Sequence, residues 1–391
     1  MDINRLRDQT PGTRRVTHFN NAGASLMPAP VTEAQCRWLK KESRYGGYET
    51  AEKHESEISD IYRAAASFIN ASEDEIALME NATMAWNMAF FSIPFAEGER
   101  ILTSASEYAS NYINYLKLRE QKKVSVEVIP SDSTGQTDPE QLKSMLDDRV
   151  KLVSITHMPT NSGLINPVEK IGRIIQNHHC LYLVDACQSV GHCPVDVEKI
   201  GCDLLSTTGR KYLRGPRGTG FLYARRKGLA ELSPPFLDLH AATWLDESRY
   251  STRNDARQFE NWEFNYAALI GLGEALRYAD EVGIHNIWKR IDHLGKQLRS
   301  KLEQIDGFTV RDIGQRQSGI VTFTAEQHSA ETIKDKLADD QINVSISPKS
   351  STLMDMKNRG LDQVVRASVH YYNTAEEIDR LATALKDLSS G

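Results

Sequence analysis

From about residue 76 to residue 224, short apolar runs alternate with segments of helical periodicity. That alternation restricts the chain to a mostly parallel sheet covered by helices, an α/β domain. The runs IALM (76–79), RILTS (100–104), VSVEVIP (124–130), KLVSIT (151–156), LYLVD (181–185), DLLST (203–207) and GTGFLYA (218–224) predict seven strands. Several are apolar throughout, as strands buried on both faces are. Segments 83–92, 110–122, 139–147 and 168–178 have the charge and apolar spacing of covering helices. Residues 266–305, rich in Ala and Leu, predict a long helix leading out of the sheet. Beyond it, strands near 308–311, 318–324, 343–346 and 364–369, with helices near 329–339 and 374–388, predict a smaller α+β domain.

A chain of 391 residues exceeds one compact core at roughly 150 residues per domain, which agrees with two domains. The expected division gives 20–285 to the large domain and joins 1–19 to 286–391 in the small one. A net charge of -6 offers no basic excess to offset a phosphate backbone, so nucleic acid is not the expected partner and a small polar ligand is. No run approaches the roughly 18 apolar residues of a membrane helix, and MDINRLRDQTPGTRRV at the start has no apolar signal core. The expected location is the cytoplasm, with no membrane partner. Four of the five cysteines, Cys180, Cys187, Cys193 and Cys202, are bunched near His178, His179 and His192 without a C-x-x-C pair. Those spacings do not suit a zinc site, so the expectation is small buried residues in a reducing compartment and no metal.

Chemistry concentrates in 181–220, LYLVDACQSVGHCPVDVEKIGCDLLSTTGRKYLRGPRGTG. Asp185 ends one predicted strand, and the carboxyl ends of parallel strands are where an open α/β sheet presents ligand-binding groups. Lys211 follows the next strand in a polar turn flanked by glycines, which suggests a backbone crowding a ligand. The glycine order of GPRGTG is not that of a dinucleotide fingerprint, and the chain contains no nucleotide P-loop.

DACQS and STTGRKYLRGPRGTG resemble the class V aminotransferases, the group that contains cysteine desulfurases and isopenicillin N epimerase-like enzymes. The likeness extends in order through HFNNAGASLMPAPV, ENATMAWN, EYASN, PTNSGLINPV, QFENWEFNYAALIGLGEAL and VVRASVHYYNTAEEIDRL, almost the whole chain. It implies the fold of PLP-dependent transferases of type I: a large domain with a mostly parallel seven-stranded sheet plus a smaller α+β domain. It further implies pyridoxal 5'-phosphate (PLP) as cofactor, an amino acid substrate, and a homodimer with active sites at the interface.

By this resemblance Lys211 carries the cofactor as a Schiff base, Asp185 keeps the ring nitrogen protonated, and Gln188 donates to the ring's phenolic oxygen. Ala82 and Thr83, at a predicted helix start, face the phosphate. Thr208 and Arg210 face it too, Arg210 standing where relatives often have His. Thr160 and Asn161 lie beside cofactor and substrate. Ala22 and Gly23 border the substrate, and Arg366 pairs its carboxylate. Tyr108 stands in the segment where relatives carry a stacking His. Trp262 and Glu263 replace a Gly-Thr pair that reaches the neighbouring subunit's site in many relatives.

The cofactor labilises several bonds at the substrate's Cα, so surrounding groups set the reaction. Related cysteine desulfurases attack sulfur with a mobile cysteine between the small-domain strand and the arginine motif. Here that interval, NVSISPKSSTLMDMKNRGLDQVVR (343–366), contains none. The expectation is Cα deprotonation by Lys211 followed by β-elimination, a C–S lyase reaction; transamination to a keto acid and epimerisation are the alternatives.

Overall fold

The computed structural model describes residues 1–390. The seven predicted strands form one sheet in the order Ile76–Met79, Gly220–Ala224, Leu204–Thr208, Leu181–Asp185, Val150–Thr156, Arg100–Ser104, Ser125–Ile129. Gly220–Ala224 runs antiparallel to both neighbours, and every other pairing is parallel. Alternate residues feed two apolar layers: Tyr182 and Val184 join the helices Glu55–Ile69, Val168–Ile175 and Tyr266–Val282, whereas Leu183 joins Ala82–Ser92 and Ala109–Lys122. The two-residue period of a strand covered on both faces produces this division.

Residues 266–305 are not one helix. Tyr266–Val282 and Ile284–Leu302 meet at Gly283, whose φ of 84° lies in the left-handed region open to glycine. Beyond the break, an antiparallel sheet orders Phe308–Val310, Ile320–Ala325, Gln363–Ser368 and Ser345–Pro348. Helices Ile284–Leu302, Ala330–Asp339 and Ala375–Ser390 flank it. The N-terminal segment joins this half: Thr17–His18 pairs in parallel with Ile342–Asn343, and Leu6 and Phe19 share its apolar core. Further elements are the helices Ala29–Tyr45, Gly47–Lys53 and Glu55–Ile69 and the hairpin Ala242–Asp246/Arg249–Thr252.

No described helix is long and apolar enough to cross a membrane. The segment 349–358, within the cysteine-free interval 343–366, folds as a short turn and the helix Leu353–Asn358. It is fixed to the large sheet's loops: Thr352 Oγ1 donates to Asn161 Oδ1 at 2.9 Å, and the Asp355 amide donates to the Ala105 carbonyl at 3.1 Å.

Candidate active site

Parallel register sets Thr156 beside Asp185 and Asp185 beside Ser206 at the carboxyl ends of the central strands. A cavity of about 410 Å³ opens there. Ala82, Thr83, Tyr108, Thr160, Asp185, Gln188, Thr208, Arg210 and Lys211, all expected from sequence, line it. Its size suits a small cofactor and substrate.

Asp185 is buried and caps no helix. Its Oδ1 accepts from the Cys187 amide at 2.9 Å and its Oδ2 from Asn111 Nδ2 at 2.9 Å. Lys211 sits in the turn after Leu204–Thr208. Burial pushes its amine below the usual lysine value, and nearby Arg210 adds to the effect, while Cys187 and Asp185 oppose it. The glycines around Lys211 answer to backbone packing rather than to a ligand: a Cβ on Gly209 would stand 2.2 Å from Thr219 Oγ1, and one on Gly220 2.4 Å from the Thr207 carbonyl.

At the opposite wall, helix Ala82–Ser92 starts with Asn81 as its cap, accepting from the Met84 amide at 2.9 Å. Capping thus falls to Asn81, which leaves the Thr83 hydroxyl available to an anion at this helix start. Thr208 Oγ1 donates to the Thr219 carbonyl at 3.1 Å, so it meets an anion only by rotating. Arg210 Nη1 donates to the Gly23 carbonyl at 2.9 Å. Tyr108, two-fifths exposed, precedes helix Ala109–Lys122 at the cavity mouth.

Ala22, Gly23, Asn161 and Arg366 stand just behind these lining groups. Gln188 Nε2 donates to the Ala22 carbonyl at 3.1 Å, and Arg366 Nη1 to Thr160 Oγ1 at 2.5 Å. Gly23 packs against the Asn20 amide, and a Cβ there would lie 2.5 Å from Asn20 Oδ1, so that side chain would have to move aside. Arg366 is buried and pairs with no carboxylate among the described residues. Desolvation pushes its guanidinium down to about 10. Among the described residues, Gln188 Oε1, Asn161 Nδ2 and Arg366 Nε are buried without a hydrogen-bond partner. Such orphaned groups around one cavity are what a polar ligand satisfies. Trp262 does not line this cavity; it is 54% exposed, its amide held by Asp238 Oδ2 at 2.6 Å.

Sequence reasoning missed Asn111, Thr156, Met158 and Cys187 as lining residues, and Glu107 behind them. The spacing of Glu107 and Asn111, four apart at a helix start, was the available signal. Cys180, Cys193 and Cys202 are buried, Cys36 is exposed, and Cys187 faces the cavity. Burial raises the Cys187 thiol even against the pull of Lys211. Among the described residues no group of three or more His, Cys, Asp or Glu is arranged to hold a metal.

The Aminotransferase class-V family matches residues 17–381. A probable cysteine desulfurase of Methanothermobacter thermautotrophicus is 32% identical, covering 98% of this chain and 97% of its own. A second, from Pyrococcus abyssi, is 28% identical over 98% of this chain and 96% of its own. The apo structure of a cysteine desulfurase from Thermococcus onnurineus superposes with a TM-score of 0.93 at 26% identity, covering 99% of this chain and 98% of that one. With Lys211 and Asp185 meeting in one cavity at the ends of such a sheet, the chain belongs to the class-V aminotransferase family of PLP-dependent enzymes.

Proposed function

We propose that this enzyme is a C–S lyase that acts on cysteine or an S-substituted cysteine by Cα deprotonation and β-elimination. The observation that carries the reading is the meeting of Lys211, with its amine driven toward the neutral form, and Asp185 in one buried cavity. PLP, when bound, supplies an electron sink conjugated to the substrate's Cα. Asp185, held by Cys187 and Asn111, presents a carboxylate to a ring cation. Ala82 and Thr83 offer a helix start to a phosphate, with Thr208 and Arg210 on the facing wall. Arg366, whose Nε lacks a partner, holds the substrate carboxylate, and Asn161 and Gln188 turn their unmatched polar atoms to cofactor and substrate. Tyr108 covers the mouth. Lys211, neutral once released, takes the Cα proton at its Nζ.

Elimination is favoured over a persulfide route by the thiols. Residues 343–366 contain no cysteine, and the thiol that does line the cavity, Cys187, is held in its protonated form by burial. Persulfide formation needs a thiolate. The relatives' names, probable cysteine desulfurase, support a sulfur amino acid as substrate.

We also assign a cytoplasmic homodimer, with residues 20–285 and 1–19 plus 286–391 as its two domains. Support for the dimer comes from one depression lined by Leu237, Leu239, Trp244 and Tyr250, all exposed. Trp262, whose amide is held by Asp238 of that depression, and Glu263 next to it are the residues we assign to the contact with the neighbouring subunit.

Product analysis with the PLP-loaded protein tests the reaction. From cysteine, elimination gives pyruvate, ammonia and sulfide without an added keto acid. Alanine as the product overturns elimination in favour of sulfur abstraction. Arrest after one turnover until a keto acid is added overturns it in favour of transamination, and inversion at Cα without release of sulfur in favour of epimerisation.

A further inference from the structure

We propose that Glu107 is a positioning residue for the cofactor's ring nitrogen, acting on Asp185 through Asn111. The inference rests on the cofactor reading above. Glu107 is 2% exposed, and its Oε1 accepts from Asn111 Nδ2 at 2.8 Å, Thr156 Oγ1 at 2.5 Å and the Tyr108 amide at 3.1 Å. Its Oε2 accepts from Thr103 Oγ1 at 3.0 Å. The same Asn111 nitrogen donates to Asp185 Oδ2 at 2.9 Å. One amide group therefore spends its two hydrogens on two buried carboxylates, and flipping it would set its oxygen against both.

This arrangement has two consequences. Asp185 has one rotamer, because Cys187 fixes Oδ1 and Asn111 fixes Oδ2. A second carboxyl group also stands behind the first in a buried site, and all its hydrogen-bond partners are neutral. Burial and the Asp185 charge raise the Glu107 carboxyl to about 7, against the pull of its hydrogen bonds. A cation beside Asp185 favours the ionised form of Glu107, and by reciprocity ionised Glu107 favours the cation. Glu107 thereby adds negative potential behind the Asp185 carboxylate that faces the ring nitrogen, without touching cofactor or substrate.

The test compares the affinity of the apo-protein for PLP with that for its 1-deaza analogue, in which C–H replaces the ring nitrogen. Quenching of tryptophan fluorescence follows binding. The wild type prefers PLP, and Glu107→Gln, which keeps size and loses charge, reduces that preference about tenfold. A purely structural Glu107 would weaken both ligands alike, so an unchanged ratio overturns the inference. If Glu107→Gln does not fold, Asn111→Ala cuts the bridge, and the same ratio decides. A wild type that binds neither ligand overturns the cofactor reading itself, which separates the two failures.

Discussion

The carboxyl ends of the central strands and the hairpin Ala242–Asp246/Arg249–Thr252 are built on opposite terms. At the strand ends Thr156, Asp185 and Thr208 are buried, each on a strand paired on both sides. Along the hairpin each strand has one neighbour, and Trp244 is 73% exposed and Tyr250 63%. Polar chemistry is enclosed in the first region, and large apolar surface is left open in the second. The lining of the cavity at the strand ends comes from many elements of one chain, whereas the hairpin gains only when something covers it. With the proposed dimer seated at the hairpin, mutations in the two regions are expected to move different properties.

The largest break in the comparison is Lys211→Ala. Turnover is expected to fall about 10²–10⁴-fold, with loss of absorbance near 420 nm in the PLP-loaded protein. The hairpin's role predicts that this variant keeps the wild-type sedimentation coefficient.

Acid tests the enclosed region as well. Burial holds His157 at about 4 and His192 at about 3, both below the ordinary histidine value. The unfolded chain therefore binds protons that the folded one does not, and stability falls as pH drops from about 6.5 toward 4. The loss is about 3 kcal/mol for His157 on the usual conversion. Glu107 works oppositely: raised to about 7, it costs stability as pH climbs from its ordinary value to 7. Urea unfolding at pH 7 and pH 5 measures the balance. With Glu107→Gln the opposing contribution vanishes and the acid loss steepens; an unchanged slope refutes that sign.

Charging the hairpin is the converse experiment. Trp244→Glu with Tyr250→Glu is expected to weaken self-association about 30-fold, or about 2 kcal/mol, by analytical ultracentrifugation. Each monomer's affinity for PLP then reports whether its cavity is sufficient alone. Trp262→Ala sharpens the comparison least: a half-exposed ring removed from the rim is expected to cost under about 1 kcal/mol of thermal stability, and a larger loss means that the ring is anchored across the interface.

The seven-stranded sheet was legible because most of its strands are covered on both faces and several read as continuous apolar runs, while the edge strand Ser125–Ile129 alternates. Asp185 and Lys211 were legible for a related reason, lying at a strand end and in the turn after one, whereas Gln188 came only through the family resemblance. The break at Gly283 was not, since helix-forming residues at apolar spacing continue on both sides and a single positive φ changes the direction. Helix Ala29–Tyr45 buries only Val31, Ala34 and Trp38, too thin a stripe for periodicity to announce. The hairpin has no core-facing alternation, so no strand signal exists to read. Asn111 and Glu107 escaped because their meaning lies in a residue seventy-four positions away, which only the folded sheet brings near.

The stitching of 349–358 to the large sheet, through Thr352 to Asn161 and Asp355 to Ala105, bears on what happens to sulfur after it leaves carbon. The rim there carries no cysteine on which sulfur could leave. Under the proposed elimination from cysteine, sulfur quits the cavity as sulfide, and a sulfide assay on the bulk solution reads it directly.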